Sequence, residues 1–159
     1  MRARSPRDVA RWVLGIEARA IEGLLDQLDE GFDRAVERLK ATTGRVVCTG
    51  MGKSGIIMKK LAATLSSTGT PALFLHPAEA VHGDMGMLVP GDTVLAASYS
   101  GSTEEILKLV ETLKRLGIPL IALTGRSQSP LARSAEIHLK VKIDQEACPL
   151  DLAPTASTT

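Results

Sequence analysis

The sequence predicts an α/β fold, a three-layer doubly wound sandwich around a five-stranded parallel sheet, preceded by an N-terminal helical segment. Three observations predict it. Five short apolar runs recur along the chain, each followed by a Gly- or Ser-rich turn and then a stretch with helical spacing. The runs lack polar alternation, as strands do when both faces of their sheet are covered. Hydrophobic residues make up 44% of the chain but aromatics only 3%, so the core is built of Leu, Ala, Val, Ile and Met, which suits helices packed on a buried sheet.

The elements follow in order. From Asp8 to about Lys40, the residues Val9, Val13, Ile16, Ala20, Leu24, Leu28, Phe32, Val36 and Leu39 recur at spacings of three or four, which predicts helix with Gly23 and Gly31 as candidate break points. Strands are expected at Arg45–Thr49, Ala72–Leu75, Val94–Ala97, Leu120–Leu123 and Ile137–Val141. Between them, helices are expected at Ser54–Ser67, Ala78–His82, Thr103–Arg115 and Ser129–Ser134. Helical crossovers between successive strands imply parallel pairing. Residues 1–42 are thus expected to pack as a helical segment on a core formed by residues 43–159. At 159 residues the chain fits one domain, able to bury roughly 70% of its unfolded surface.

Charge and composition exclude several classes. Nineteen basic residues against eighteen acidic ones leave a net charge of +1, so neither nucleic acid nor an anionic membrane is expected as a partner, and any anion must be bound locally. The apolar runs are too short to span a bilayer, and no signal peptide follows the basic start Met1–Arg7. Cys48 and Cys148 lie far apart without paired metal spacing, the pattern of reduced thiols in a cytoplasmic protein.

Two turns stand out. Residues 98–103, Ser-Tyr-Ser-Gly-Ser-Thr, place four serine or threonine hydroxyls and a glycine between an apolar run and a helical pattern. Backbone N–H groups at a helix start carry partial positive charge, short hydroxyls add donors, and glycine lets the backbone approach, so Ser100, Gly101, Ser102 and Thr103 are candidate phosphate contacts. Residues 50–55, Gly-Met-Gly-Lys-Ser-Gly, fit the dinucleotide pattern, yet the acid expected at the end of the second strand is absent: His76 stands there and the first acid is Glu79. A P-loop fails too, because Val47 occupies the position of its first glycine. What survives is a glycine turn at a helix start that offers Gly52, Lys53 and Ser54 to a small anion.

Both turns, and the loop 76–84 that carries His82, should meet at the carboxyl edge of the sheet, where open α/β sheets bind ligands. His82 is a proton carrier near neutral pH. Glu104 and Glu105 suit the helix dipole, and one of them can face the crevice. Glu146, after the last strand, reads on residue chemistry alone as a solvated loop acid within reach of the same edge.

Four motifs taken together resemble the arabinose-5-phosphate isomerases of the sugar isomerase (SIS) family: residues 50–55, 76–87 (HPAEAVHGDMGM), 98–106 (SYSGSTEEI) and 146–159 (EACPLDLAPTASTT). The resemblance implies interconversion of D-ribulose 5-phosphate and D-arabinose 5-phosphate, feeding Kdo and lipopolysaccharide synthesis. Carried over by position, it implies catalytic roles for Lys53, His82, Glu105 and Glu146 and phosphate contacts at Ser100, Ser102 and Thr103, with Ser54 nearby. It implies a homodimer or homotetramer; a proton-transfer isomerase needs no redox cofactor, and the chain offers no structural metal set, a metal touching His82 staying open. Tyr99 and Ser102 depart from the family, which commonly has Asn and often Glu there. The family also continues into a further helix, a His-Pro-Gly-Gly motif and usually two CBS domains, so residues 154–159 are expected to open a helix that the chain does not complete. The alternatives are a noncatalytic phosphosugar-binding regulatory module, or another phosphosugar isomerase of the same family.

Overall fold

In the computed structural model, which describes residues 5–150 and 152–159, five strands form one parallel sheet: β1 (Val46–Gly50), β2 (Ala72–Leu75), β3 (Thr93–Ala97), β4 (Leu120–Thr124) and β5 (Ile137–Lys140). Met1–Arg4 and Asp151 lie outside the described residues. The strand order is β2-β1-β3-β4-β5, so the winding reverses between β1 and β3. There Val46 lies opposite Thr93 and Gly50 opposite Ala97, which brings the two carboxyl ends level. In doubly wound sheets this reversal opens the ligand crevice.

Each strand sends alternate side chains to opposite faces, and the sheet separates two clusters accordingly. One joins Val47, Leu75, Val94, Ala96, Leu120 and Ala122 to Ile106, Leu109, Val110, Leu113 and Leu131. The other joins Val46, Cys48, Leu95, Ile121 and Ile137 to Met58, Ala62 and Ala35. Helix α5 (Glu104–Leu116) shows why its sequence folds this way. Its buried residues Ile106, Leu109, Val110 and Leu113 recur at helical spacing, each stabilising by about 1.5–3 kcal/mol. Glu104 and Glu105 face the positive end of its dipole, Lys114 and Arg115 the negative end. Gly117, left-handed at φ 66°, donates to the Leu113 and Lys114 carbonyls and ends the helix.

The helical start is two helices, α1 (Pro6–Glu22) and α2 (Glu30–Lys40), separated by a 3₁₀ turn at Leu25–Gln27. Gly23 caps α1 as the spacing predicts. Gly31 does not break the chain. It lies in the first turn of α2, where its N–H donates to Asp29 Oδ1 at 2.8 Å, so the N-cap Asp29 sets the boundary. Helix α2 packs on β5. Helix α1 instead buries Ile16, with Trp12, Val13 and Ala20 around it, against Ala147, Ala156 and Ile143 near the end of the chain.

Candidate functional site

All five strands run the same way, so the turns 51–55, 76–87, 98–103, 125–129 and 141–146 leave the sheet at one edge. The turn after β1 enters α3 (Gly52–Ser67). Gly52 adopts φ 56° with open space where a side chain would stand. Gly55 is needed for packing, because a Cβ there would lie 2.5 Å from the Gly50 carbonyl oxygen, and so it allows α3 to press onto β1. The glycine pattern therefore serves close helix–strand contact. Met51 caps α3 without a side-chain hydrogen bond, and Lys53 projects, exposed, from the first turn, with no ion pair among the described residues.

The hydroxyl loop is more self-contained than its composition implies. Ser98 Oγ lies 2.8 Å from Thr103 Oγ1 and accepts from the Gly101 N–H at 3.1 Å. Gly101 is buried with φ 64°, and its carbonyl accepts from the Leu131 N–H at 3.0 Å. Any side chain at 101 would collide with Ser129, whose Oγ lies 2.0 Å from the Cβ position. Ser100 and Ser102 remain exposed, and Thr103 is the N-cap of α5 without a side-chain capping bond. The donors that face outward are thus Ser100, Ser102 and the first N–H groups of α5.

Helix α4 (Pro77–Val81) ends at His82, which is exposed. Helices α4 and α5 pack together on the face opposite α3, and Glu105 is half-buried in the first turn of α5. Glu104 is paired to Lys108 at 2.9 Å on the surface. His76 precedes α4 with its ring edge-on to Phe74, and its Nδ1 is buried with no hydrogen-bond partner among the described residues. On the α3 face, Ser54, Ser98, Tyr99, Ile57 and Leu61 line a largely apolar cleft of about 200 Å³, closed on its far side by Ala156, Ser157, Thr158 and the end of α1.

Glu146 is no solvated acid. Its Oε2 accepts from the Thr155 N–H at 2.7 Å, the Thr155 hydroxyl at 2.9 Å and the Ser157 N–H at 3.2 Å, while Oε1 accepts from the Ser157 hydroxyl. Burial pushes its pKa up, but the Ser157 hydroxyl, the Thr155 and Ser157 N–H groups and the Thr155 hydroxyl outweigh burial and hold the carboxyl below the usual glutamate range. Ser157 also lines the cleft that Ser54 and Ser98 line, so Glu146 is linked through it to the β1–β3 crevice. Residues 154–159 supply a single 3₁₀ turn, Ala156–Thr158.

The structure thus joins Ser54, Ser98 and Ser157, a partner of Glu146, around one cleft, and Ser98 with Gly101 and Thr103 in one turn. Lys53, His82 and Glu105 share the edge without hydrogen bonds to one another among the described residues, whereas Ser102 bonds to Ser100, its N–H donating to Ser100 Oγ at 3.3 Å and its hydroxyl to the Ser100 carbonyl at 3.4 Å. Sequence reasoning passed over Thr155 and Ser157 as donors to Glu146; their only signal was the hydroxyl run Thr-Ala-Ser-Thr-Thr at 155–159. Cys48 is buried in β1, and burial pushes its thiol up to about 11. Among the described residues, no group of three His, Cys, Asp or Glu could hold a metal, and no helix is long and apolar enough to cross a membrane.

Residues 41–159 match the model of the SIS domain. The chain belongs to the SIS domain family. It is 57% identical over 94% of its length to a Pseudomonas aeruginosa protein named arabinose 5-phosphate isomerase KdsD, and 52% identical over 92% to the protein of that name from Escherichia coli K12. It covers 46% and 45% of those two, less than half of each. Among solved structures, this SIS domain superposes with a TM-score of 0.92 on E. coli CFT073 c3406 in complex with arabinose 5-phosphate, at 40% identity, covering 98% of this chain and 84% of that one.

Proposed function

We propose that the chain is the isomerase domain of an arabinose 5-phosphate isomerase, interconverting D-ribulose 5-phosphate and D-arabinose 5-phosphate and so feeding Kdo and lipopolysaccharide synthesis. The 57% identity to a protein of that name, over nearly the whole chain, carries the proposal. The fold adds an edge on which candidate anion donors and acid–base groups lie together.

In this reading the phosphate sits against Ser100, Gly101, Ser102 and Thr103, at the start of α5, with Gly52 and Ser54 at the neighbouring turn. A carboxylate takes the proton from C1 of the ketose, leaving an enediol across C1 and C2, and returns it to C2. Glu146 is the candidate base. Its pKa lies below the usual range, so it is ionised at neutral pH, and Oε1 carries one donor where Oε2 carries three. His82 moves the proton between the two oxygens, Lys53 stabilises the negative oxygen of the enediol, and Glu105 orients one of these partners. No oxidant is consumed, because the hydrogen and electron pair removed from C1 return at C2.

The protein is proposed to act in the cytoplasm as a homodimer or homotetramer. The exposed apolar residues Leu14, Ile21, Leu25 and Leu28 around α1 support association. The decisive experiment incubates the chain with D-ribulose 5-phosphate and follows D-arabinose 5-phosphate by NMR, with the Pseudomonas aeruginosa relative as the positive control. Conversion by both supports the isomerase reading. Saturable binding of arabinose 5-phosphate with no conversion by the chain instead makes it a phosphosugar-binding module.

A further inference from the structure

Tyr99 is the residue of the hydroxyl loop that leaves it. Its ring lies flat on Gly125, where a Cβ would stand 2.5 to 2.9 Å from three ring carbons, so the ring's place depends on that glycine. The backbone is fixed there as well, since the Gly125 N–H donates to the Tyr99 carbonyl at 3.0 Å. From this position the phenol reaches across the mouth of β4 to the segment after β5. It donates to the Ile143 carbonyl at 3.4 Å and accepts from the Ile143 N–H at 3.3 Å. Ile143 lies three residues before Glu146. Tyr99 therefore touches, through one rigid side chain, both the turn that offers hydroxyls to an anion and the segment that carries the candidate base.

The segment is also held by the bonds of Glu146 to Thr155 and Ser157, by the packing of Ile143 and Ala147 on α1, and at two points closer to β5. Val141 N–H donates to the Thr124 carbonyl at 2.9 Å, and Gln27 holds Lys142 with a pair of bonds, Nε2 to the carbonyl at 2.8 Å and Oε1 from the N–H at 2.9 Å. We propose that Tyr99 is a positioning residue that couples the hydroxyl loop 98–103 to the segment carrying Glu146, so that an anion held by the loop is felt at Glu146. The proposal rests on the phosphate-binding reading of that loop. Both bonds to Ile143 are long, so the coupling is a modest adjustment of a segment already held elsewhere. It works on the spacing between the two halves of the site, where small displacements count most for proton transfer.

Amide hydrogen exchange on the whole chain tests it, with inorganic phosphate as the probe. In the parent, phosphate should slow exchange at 98–106 and also at 143–147. Tyr99→Phe keeps the ring and removes the hydroxyl. Without phosphate it should speed the Ile143 amide by about twofold to tenfold; with phosphate it should keep the protection at 98–106 and lose the response at 143–147. Gln27→Ala loosens the same segment from its other side, and should speed exchange at 141–143 while leaving the phosphate response intact. Equal loss of response in both variants would reduce Tyr99 to a structural prop and overturn the coupling. A Tyr99→Phe response unchanged at 143–147 would overturn it while the phosphate site stood. Absence of protection at 98–106 in the parent would remove the phosphate site itself and the coupling with it.

Discussion

Asp92 and Glu146 are two carboxylates withdrawn from water at opposite edges of one sheet, and they are stabilised in different ways. Asp92, just before β3 at the amino edge, accepts from the Arg45 and Val89 N–H groups at 2.8 and 3.1 Å and also faces the Arg45 guanidinium at 3.2 Å. Glu146, at the carboxyl edge, has four donors and, among the described residues, no cation. Both have a lowered pKa, so both are ionised at neutral pH. At the amino edge the negative charge is neutralised and spent on joining β1 to β3. At the carboxyl edge it is held by neutral hydroxyl and backbone donors.

Four substitutions or conditions would break or sharpen that contrast. The largest expected effect is on chemistry. Glu146→Gln keeps an acceptor for Thr155 and Ser157, yet should lower conversion of ribulose 5-phosphate by about 10²- to 10⁴-fold, far more than the modest fall in melting temperature expected from losing the charge. A variant that melted early and lost activity in proportion would make Glu146 as structural as Asp92. Next, Asp92→Ala strands two N–H groups and the Arg45 charge, and should lower stability by about 2–4 kcal/mol in urea denaturation, with sugar-phosphate affinity unchanged in the folded fraction.

Acid should separate the two carboxylates from the remaining acids. Because each has a folded pKa below its unfolded one, each contributes stability that is fully present above the ordinary carboxylate range and lost as pH falls through the folded value. Urea midpoints should therefore drop between about pH 5 and about pH 3, less steeply in a variant lacking both groups. The smallest effect is at the exposed Glu104–Lys108 pair on α5, where Lys108→Ala should cost about 0.5 kcal/mol or less, measured by the same urea titration.

The layers, the parallel sheet and the sites of the loops were legible because they depend on periodicity, which is local. The strands run within a residue or two of the expected positions, from Ala72–Leu75, which agrees at both ends, to Ile137–Lys140, one residue shorter than its apolar run. Long-range contacts were not legible. Nothing in the spacing of 98–103 shows that Gly101 is committed to Ser129 and Leu131, because those contacts depend on where β4 brings the 125–131 turn. Glu146 read as a solvated acid for the same reason: its donors lie nine and eleven residues on, in a segment whose path is set by packing against α1.

That packing also sets an order of events during synthesis. The apolar side of α1, with Trp12, Val13 and Ile16, packs on Ile143, Ala147 and Ala156. A ribosome adding roughly 5–20 residues each second completes the first hundred and forty or so intervening residues in on the order of ten seconds. Throughout that interval the sheet can assemble strand by strand while α1 waits with its hydrophobic stripe uncovered, the stretch of the nascent chain most in need of a chaperone.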